Sequence, residues 1–160
     1  MIRVGIGYDI HRLVAGRTLV LGGVVIPHGK GLLAHSDGDV VIHAVCDALL
    51  GAAGLGNIGT LFPDTDPRHK DQNSCELLEA VVDHLREAGF VPVQVDANII
   101  AQKPVLQPFV SRMCQTIANC LCVDAGCVSI KPRTNEGVGA EGREEAISAQ
   151  AIAVIAMKPQ

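Results

Sequence analysis

The chain has 160 residues and a net charge of −4 at neutral pH, and we expect one domain over residues 1–160. Hydrophobic residues make up 48% of the chain and aromatic residues only 2%. The core should therefore consist of Val, Ile, Leu and Ala, with some apolar surface buried against further copies of the chain. No run of basic residues is present, which argues against nucleic acid or an anionic membrane as a partner.

The six cysteines form no C-x-x-C pair, which indicates structural thiols in a reducing compartment. The sequence also shows no signal or targeting peptide and no run of about 18 apolar residues. These features predict a cytoplasmic protein without a membrane span.

The N-terminal segment, residues 2–11, alternates in the manner of a β-strand. Within it, Asp9 and His11 lie two residues apart, so in an extended chain both side chains project to the same side. Residues 18–27 follow as two short apolar runs around a Gly-Gly dipeptide, which predicts a β-hairpin with a scaffolding role.

Residues 34–55 predict an almost wholly apolar helix with one polar stripe formed by Asp39, His43 and Asp47. A helix of this composition is buried, and burying an imidazole between two carboxylates is costly unless something compensates it. Metal coordination through one ring nitrogen of His43, with Asp39 or Asp47 accepting a hydrogen bond from the other, would provide that compensation.

Asp9, His11 and His43 together supply the three protein ligands that a catalytic zinc ion keeps while leaving a fourth position open. A single buried histidine is more often a hydrogen-bonded core residue, so the prediction depends on the triplet. Ser36 and Asp39 fit the capping-box pattern at the start of the helix. The free N–H groups of a helix start would then offer a place for phosphate.

The remaining segments are predicted as scaffold, except that the loop at 57–67 can also be a lid whose carboxylates and amide groups bind hydroxyls. No chemistry is assigned to the helix at 73–89. In order, we expect a proline-punctuated loop at 57–67, an amphipathic helix at 73–89, a strand at 91–101, a stiff loop at 102–108, a second amphipathic helix at 109–121, a turn at 124–127 and a short strand at 128–131. Residues 146–157 are interpreted as a fully buried strand, although their alanine content leaves a helix open.

Three blocks of sequence carry a family resemblance: GYDIHRL, GLLAHSDGDV with the DALLGAAGLG that follows it, and IG-x-x-FPDTDP. In order and spacing they resemble the 2-C-methyl-D-erythritol 2,4-cyclodiphosphate synthases of the non-mevalonate isoprenoid pathway, and the likeness runs over nearly the whole chain. The resemblance implies an α/β fold of the α+β type. It implies one domain with a mixed β-sheet and helices on one face, and a homotrimer whose sheets surround a central three-fold axis.

The implied activity is that of a phosphorus–oxygen lyase. The 2-phosphate of 4-diphosphocytidyl-2-C-methyl-D-erythritol 2-phosphate attacks its own β-phosphorus, which releases CMP and closes 2-C-methyl-D-erythritol 2,4-cyclodiphosphate. Positioning and charge neutralisation by two divalent metals carry such a reaction. The resemblance implies Zn, Mn or Co at Asp9, His11 and His43, and Mg or Mn bridging the diphosphate through Glu136.

The resemblance also assigns the remaining site residues. His35 and Thr134 are expected to be catalytic, and Ser36 to contact phosphate beside His35. The hydroxyl-binding loop falls on Asn57, Ile58, Gly59, Phe62, Pro63, Asp64, Thr65 and Asp66. The cytosine loop falls on Ala101, Gln102, Lys103, Pro104, Val105, Leu106 and Gln107. Further substrate contacts fall on Arg133, Asn135, Ala140 and Arg143, and the cytosine loop and the block at 134–136 are expected to come from a neighbouring subunit.

Four positions depart from the family pattern. Asn57 replaces an aspartate, Arg133 and Asn135 replace threonines, and Ala140 replaces a phenylalanine. Two alternatives therefore stay open. One is a metal-dependent phosphohydrolase that activates water, and the other is a non-catalytic trimeric protein that binds metal or nucleotide.

Overall fold

A computed structural model describes residues 1–62 and 73–158. The strands are β1 (Ile2–Ala15), β2 (Leu19–Leu21), β3 (Val24–Ile26), β4 (Lys30–Leu33), β5 (Phe90–Ile100), β6 (Val128–Arg133) and β7 (Ala146–Met157). The helices are α1 (Val40–Ala53), α2 (Ile58–Leu61), α3 (Ser74–Glu87), α4 (Val110–Leu121) and α5 (Gly139–Gly142). Short 3₁₀ turns cover Gln107–Phe109 and Ala125–Cys127.

The predicted mixed sheet is confirmed. Five strands lie in the order β4-β1-β7-β5-β6, and every neighbouring pair is antiparallel except β5 and β6, which are parallel. The predicted hairpin is also present as β2 and β3. Leu21 pairs with Val24 across a Gly22-Gly23 turn in which both glycines have positive φ, as a two-residue hairpin requires.

Helices α1, α3 and α4 pack on one face of this sheet, and the core lies between these helices and the sheet. Eleven of the fourteen residues of α1 are buried, which agrees with its apolar composition. The strands beneath α1 are lined with small residues, and a Cβ added at Gly7 would lie 1.9 Å from the Ala44 carbonyl oxygen. The strand and helix backbones therefore approach far more closely than side chains would allow.

The other face of the sheet, here called the outer face, is apolar along β1. The one-turn helix α5 covers one end of it, because Ser148, which pairs with Ile10, donates to Glu141 Oε1 of α5 at 2.7 Å. Its exposed large apolar side chains are Ile2, Val4, Ile6, Tyr8, Ile10 and Ile152, and the exposed Gln150, which pairs with Tyr8, is polar. Residues 146–157 form a strand and not a helix, as predicted. The strand is not fully buried, because its side chains alternate between the core and this outer face. Ile152, for example, is 47% exposed.

The start of α1 differs from the prediction. The cap is Asp39, whose carboxylate accepts hydrogen bonds from Val41 N and Ile42 N, both at 3.1 Å, and the predicted capping box on Ser36 is wrong. The same carboxylate accepts from Gly22 N and Gly23 N of the hairpin turn. These helix N–H groups are therefore occupied and are not free to bind phosphate.

Within residues 57–67, where a loop was predicted, the structure has the one-turn helix α2. Asn57 caps it, because its Oδ1 accepts from Thr60 N at 3.0 Å and from Thr60 Oγ1 at 3.1 Å. All six cysteines are free thiols, as expected. No helix within the described ranges is long and apolar enough to cross a membrane.

Candidate metal centre and its pocket

Three side chains that metals bind converge between β1 and α1. Asp9 Oδ2 lies 2.9 Å from His43 Nδ1 and 3.1 Å from His11 Nε2. The two histidine nitrogens are 3.4 Å apart, and all three ligand atoms lie within 4.8 Å of one another. The structure thus brings together the three residues that the sequence predicted as metal ligands.

The donor set fits a tetrahedral divalent ion. Bonds of about 2.0–2.2 Å place the ligand atoms of a tetrahedral zinc roughly 3.3–3.6 Å apart, which is close to the separations of 2.9, 3.1 and 3.4 Å in this group. Two imidazoles and one carboxylate also leave the fourth position open. The group can therefore hold a divalent metal.

Electrostatics within the group favour an ionised carboxylate. Burial works to raise the pKa of Asp9, but hydrogen bonds from His11 and His43 lower it well below its usual value. Burial works to lower the pKa of His43, and the Asp9 carboxylate raises it above 6.5. The Asp9 carboxylate therefore favours a positive charge beside it, either a proton on His43 or a bound cation.

The second ring nitrogen of His43 faces two hydroxyl groups. Its Nε2 lies 3.2 Å from Ser74 Oγ and 3.3 Å from Ser36 Oγ. The prediction that Asp39 or Asp47 would accept a hydrogen bond from this nitrogen is wrong. Asp39 is turned toward the hairpin and the helix start, as described above, and Asp47 Oδ1 accepts from Ile58 N at 2.8 Å.

The metal group lies in a pocket of about 220 Å³. Its lining includes several predicted site residues, namely His35, Ser36, Ile58, Gly59 and Phe62. Asn57 does not line it but caps the helix that carries Ile58 and Gly59. The predicted contacts Pro63, Asp64, Thr65 and Asp66 lie outside the described residues.

The other predicted substrate contacts form a separate cluster. Ala101 N donates to the Arg133 carbonyl oxygen at 2.9 Å, and Gly137 N donates to Gln102 Oε1 at 3.3 Å. These contacts hold the loop at 101–107 against the block that follows β6. Thr134 Oγ1 donates to Glu136 Oε1 at 2.9 Å, so the predicted catalytic hydroxyl and the predicted magnesium ligand are adjacent.

Within one chain this cluster lies far from the metal group. The metal group lies on β1 and the cluster follows β6, and the sheet places β7 and β5 between them. Three strand spacings of about 4.8 Å amount to about 14 Å. Of the residues that the structure describes, none at 101–107 or 133–136 lines the metal pocket.

The remaining predicted contacts lie near this cluster or close to α5. Asn135 Nδ2 donates to the Val138 carbonyl oxygen at 2.8 Å, and Ala140 lies in α5. Arg143 makes a two-pronged ion pair with Glu145 at 2.9 and 3.0 Å. Together with Arg12 and Lys30, Arg143 lines a second cavity on the side of β4.

Sequence reasoning missed two residues beside His43. Ser74 is the first residue of α3, a helix to which we assigned no chemistry, and Asp37 lies in the loop before α1. Ser74 Oγ donates a short hydrogen bond to Asp37 Oδ1. No local pattern could have revealed the pair, because its members lie 37 residues apart. Tyr8 and Leu77 were likewise not predicted to line the pocket.

Comparison with known proteins agrees with this geometry. The model of the YgbB family matches residues 2–156. The 2-C-methyl-D-erythritol 2,4-cyclodiphosphate synthase of Dechloromonas aromatica is 56% identical over 153 residues, which cover 96% of each chain. The synthase of Syntrophomonas wolfei is 54% identical over 153 residues, which cover 96% of this chain and 98% of the relative.

Among solved structures, the chain is similar to Plasmodium falciparum IspF in its CDP complex, with a TM-score of 0.86, 35% identity and coverage of 99% and 97% of the two chains. It is also similar to the bifunctional IspDF of Campylobacter jejuni, with a TM-score of 0.94 and 42% identity. The match covers 98% of this chain but 42% of that longer protein. The chain therefore belongs to the YgbB family, and its curated relatives are 2-C-methyl-D-erythritol 2,4-cyclodiphosphate synthases.

Proposed function

We propose that this protein is a lyase that converts 4-diphosphocytidyl-2-C-methyl-D-erythritol 2-phosphate to 2-C-methyl-D-erythritol 2,4-cyclodiphosphate and CMP, with residues 1–160 as one synthase domain. The observation that carries the proposal is the convergence of Asp9, His11 and His43 in a pocket of a YgbB-family chain. Zn is the proposed ion at this group, with Mn or Co as alternatives, and Mg or Mn is proposed at Glu136. When bound, such ions supply Lewis-acid polarisation and neutralise phosphoryl charge.

The reaction makes few demands on side-chain bases, because its nucleophile is an anionic phosphate of the substrate. An oxygen of the 2-phosphate forms a bond to the β-phosphorus, and the bond from that phosphorus to the bridging oxygen breaks. CMP leaves with that oxygen. His35 and Ser36, which line the pocket beside the metal group, would hold the reacting phosphates in line.

We infer that the active protein is a homotrimer whose sites each use two subunits. A pocket of about 220 Å³ is smaller than the 300–1,000 Å³ or so of a drug-sized ligand site. The cytosine loop and Thr134 lie about 14 Å away across the sheet, too far to complete the pocket from the same chain. The exposed apolar outer face supplies a surface for assembly.

Turnover of the cytidine substrate tests the activity. We expect CMP and the cyclic diphosphate in equal amounts. CMP with a linear product would favour the phosphohydrolase, and substrate or CDP binding without turnover at any divalent-metal concentration would favour the binding protein.

His43→Ala should lose both the tightly bound metal and the activity, whereas retention of wild-type metal content would contradict the ligand assignment.

Subunit complementation tests the shared site. His43→Ala and Thr134→Ala should each be inactive alone. Co-refolded mixtures should recover a fraction of wild-type activity, because some interfaces then combine an intact metal group with an intact Thr134. Mixed trimers that stay as inactive as their parents would place the whole site within one subunit.

A further inference from the structure

The two nitrogens of the His43 ring have different surroundings. Nδ1 faces Asp9 and His11, whereas Nε2 faces the hydroxyls of Ser74 and Ser36. A neutral imidazole carries one proton, and only the nitrogen without it can bind a metal. Coordination through Nδ1 therefore requires the proton to reside on Nε2.

The hydrogen bonds of Ser74 determine which nitrogen of the His43 ring carries the proton. A serine hydroxyl has one proton to donate, and an ionised carboxylate can only accept. Because Ser74 Oγ donates its proton to Asp37 Oδ1, the oxygen has only lone pairs left to offer to His43 Nε2 at 3.2 Å. Ser74 is 1% exposed, so bulk water does not compete for this contact.

Asp37 is itself held in place. Its Oδ2 accepts from Ser74 N at 2.9 Å, and its Oδ1 accepts from Asp39 N at 3.1 Å. The carboxylate thus joins the loop before α1 to the first residue of α3. Its negative charge also favours a protonated ring nitrogen on the neighbouring His43.

We propose that Asp37 and Ser74 are positioning residues that hold His43 in its Nε2–H tautomer and thereby present Nδ1 to the metal. The inference rests on the proposed metal site, and it assigns neither residue a contact with substrate. Ser36 is the competing partner of Nε2. Its Oγ accepts from Gly38 N at 3.2 Å and it lines the pocket, so we assign it to substrate phosphate.

The first test measures zinc affinity of the folded protein by competition with a chromophoric chelator at neutral pH. Partners of a metal-bound histidine typically contribute a factor of about 10–100 to metal affinity, so Ser74→Ala should weaken zinc binding by roughly that factor. Asp37→Asn should weaken it in the same direction. Ser111→Ala, an exposed serine on α4, is the matched control and should leave the affinity unchanged.

The second test reads the tautomer directly by NMR of zinc-loaded protein labelled with ¹⁵N in histidine, first in the wild type and then in two variants. We expect the Nε2 of His43 to carry a slowly exchanging proton, and that proton should exchange faster with water in Ser74→Ala than in Ser36→Ala. If Ser74 only supported the fold, its replacement would not selectively speed up the exchange of this proton.

Several results would overturn the inference. Zinc bound through Nε2, or wild-type zinc affinity in a folded Ser74→Ala protein, would contradict the positioning role of Asp37 and Ser74 but not the metal site itself. A larger effect of Ser36→Ala on the Nε2 proton would assign the role to Ser36. A wild-type protein that binds no zinc and no other divalent ion would contradict both the metal site and the positioning role of Asp37 and Ser74.

Discussion

At the scale of single residues, Asp39 shows how one buried carboxylate joins two elements. It is 0% exposed, and a buried charge is costly unless it is well hydrogen-bonded. Its oxygens accept from four backbone N–H groups, two at the hairpin turn and two at the start of α1. Burial raises the pKa of Asp39 to about 6, and backbone donors that include Gly23 and Ile42 oppose that rise. The residue is therefore ionised at neutral pH.

Replacing this carboxylate by an amide should destabilise the fold. Asp39→Asn keeps the shape but turns an NH₂ group toward at least one of the four backbone donors, so we expect a loss of about 1–3 kcal/mol in the free energy of unfolding. Asp39→Ala should cost more, because all four donors lose their acceptor. Urea unfolding measures both.

Asp124 offers a matched control. It precedes the 3₁₀ turn at Ala125–Cys127 and makes no side-chain capping bond there. Asp124→Asn should therefore stay within about 0.5 kcal/mol of wild type. Equal losses at the two positions would contradict the role given to Asp39.

The metal-free protein should also show a pH dependence at the metal group. The carboxylate of Asp9 raises the pKa of His43 above 6.5 against the effect of burial. The stabilisation from this pair is therefore fully present below pH 6.5 and is lost as pH rises through the raised pKa. Urea unfolding in EDTA should show the difference between wild type and Asp9→Asn shrinking as pH rises from 6 to 9. A difference that stays constant would contradict the ion pair.

At the scale of elements, the contact between β1 and α1 creates the metal centre. Cβ atoms added at Gly5 and Gly7 would lie 2.0 and 1.9 Å from carbonyl oxygens of α1. Because the glycines have no side chain, the strand can lie directly against the helix. That close approach puts Asp9 and His11 within reach of His43.

A methyl group at Gly7 should therefore disrupt both the fold and the site. Gly7→Ala forces a backbone shift, and we expect it to cost about 3 kcal/mol and to lower the zinc content. Gly51→Ala, at an exposed position of α1 where an added Cβ meets nothing within 4 Å, should instead stabilise the helix by about 0.5–1 kcal/mol. Thermal unfolding measures the stability of the two variants, and metal analysis measures their zinc content. Equal stability and equal zinc content in both would contradict the role given to the close approach of β1 and α1.

At the scale of the whole molecule, the outer face of the sheet determines the assembly that we propose. Ile6 and Ile152 pair in register at its centre and are 72% and 47% exposed in the single chain. An apolar patch of this kind marks an interaction surface. Since the predicted site residues are divided between β1 and the end of the edge strand β6, assembly and activity should be lost together.

A charge on the outer face tests that expectation. Ile6→Lys should convert the trimer to monomers and abolish activity, because three buried ammonium groups cannot be paired at the interface. Val25→Lys, on the hairpin and 59% exposed, should leave the trimer intact. Light scattering gives the mass in solution. A wild-type monomer, or an intact Ile6→Lys trimer, would contradict the assembly.

The features that follow from local periodicity could be predicted from the order of residues alone. Strand alternation placed Asp9 and His11 on one side of β1, and the apolar run around His43 predicted a buried helix. The Gly22-Gly23 dipeptide predicted its hairpin, because few residues other than glycine adopt positive φ at two successive positions. These outcomes depend on neighbours within a few residues, so the chain order alone is enough to predict them.

The partners of the polar groups, in contrast, depend on how distant segments pack together in the folded chain. Asp39 and Asp47 have the spacing of a stripe around His43, yet both carboxylates accept from backbone N–H groups instead. Those of Asp39 are at the hairpin turn and the start of α1, and that of Asp47 is at the start of α2. Buried donors need such acceptors. Ser74 reaches His43 across 31 residues of sequence. The distance from the metal group to Thr134 was likewise set by the strand order β4-β1-β7-β5-β6, because hydrogen-bond pairing between distant strands is not encoded in the period of any one of them.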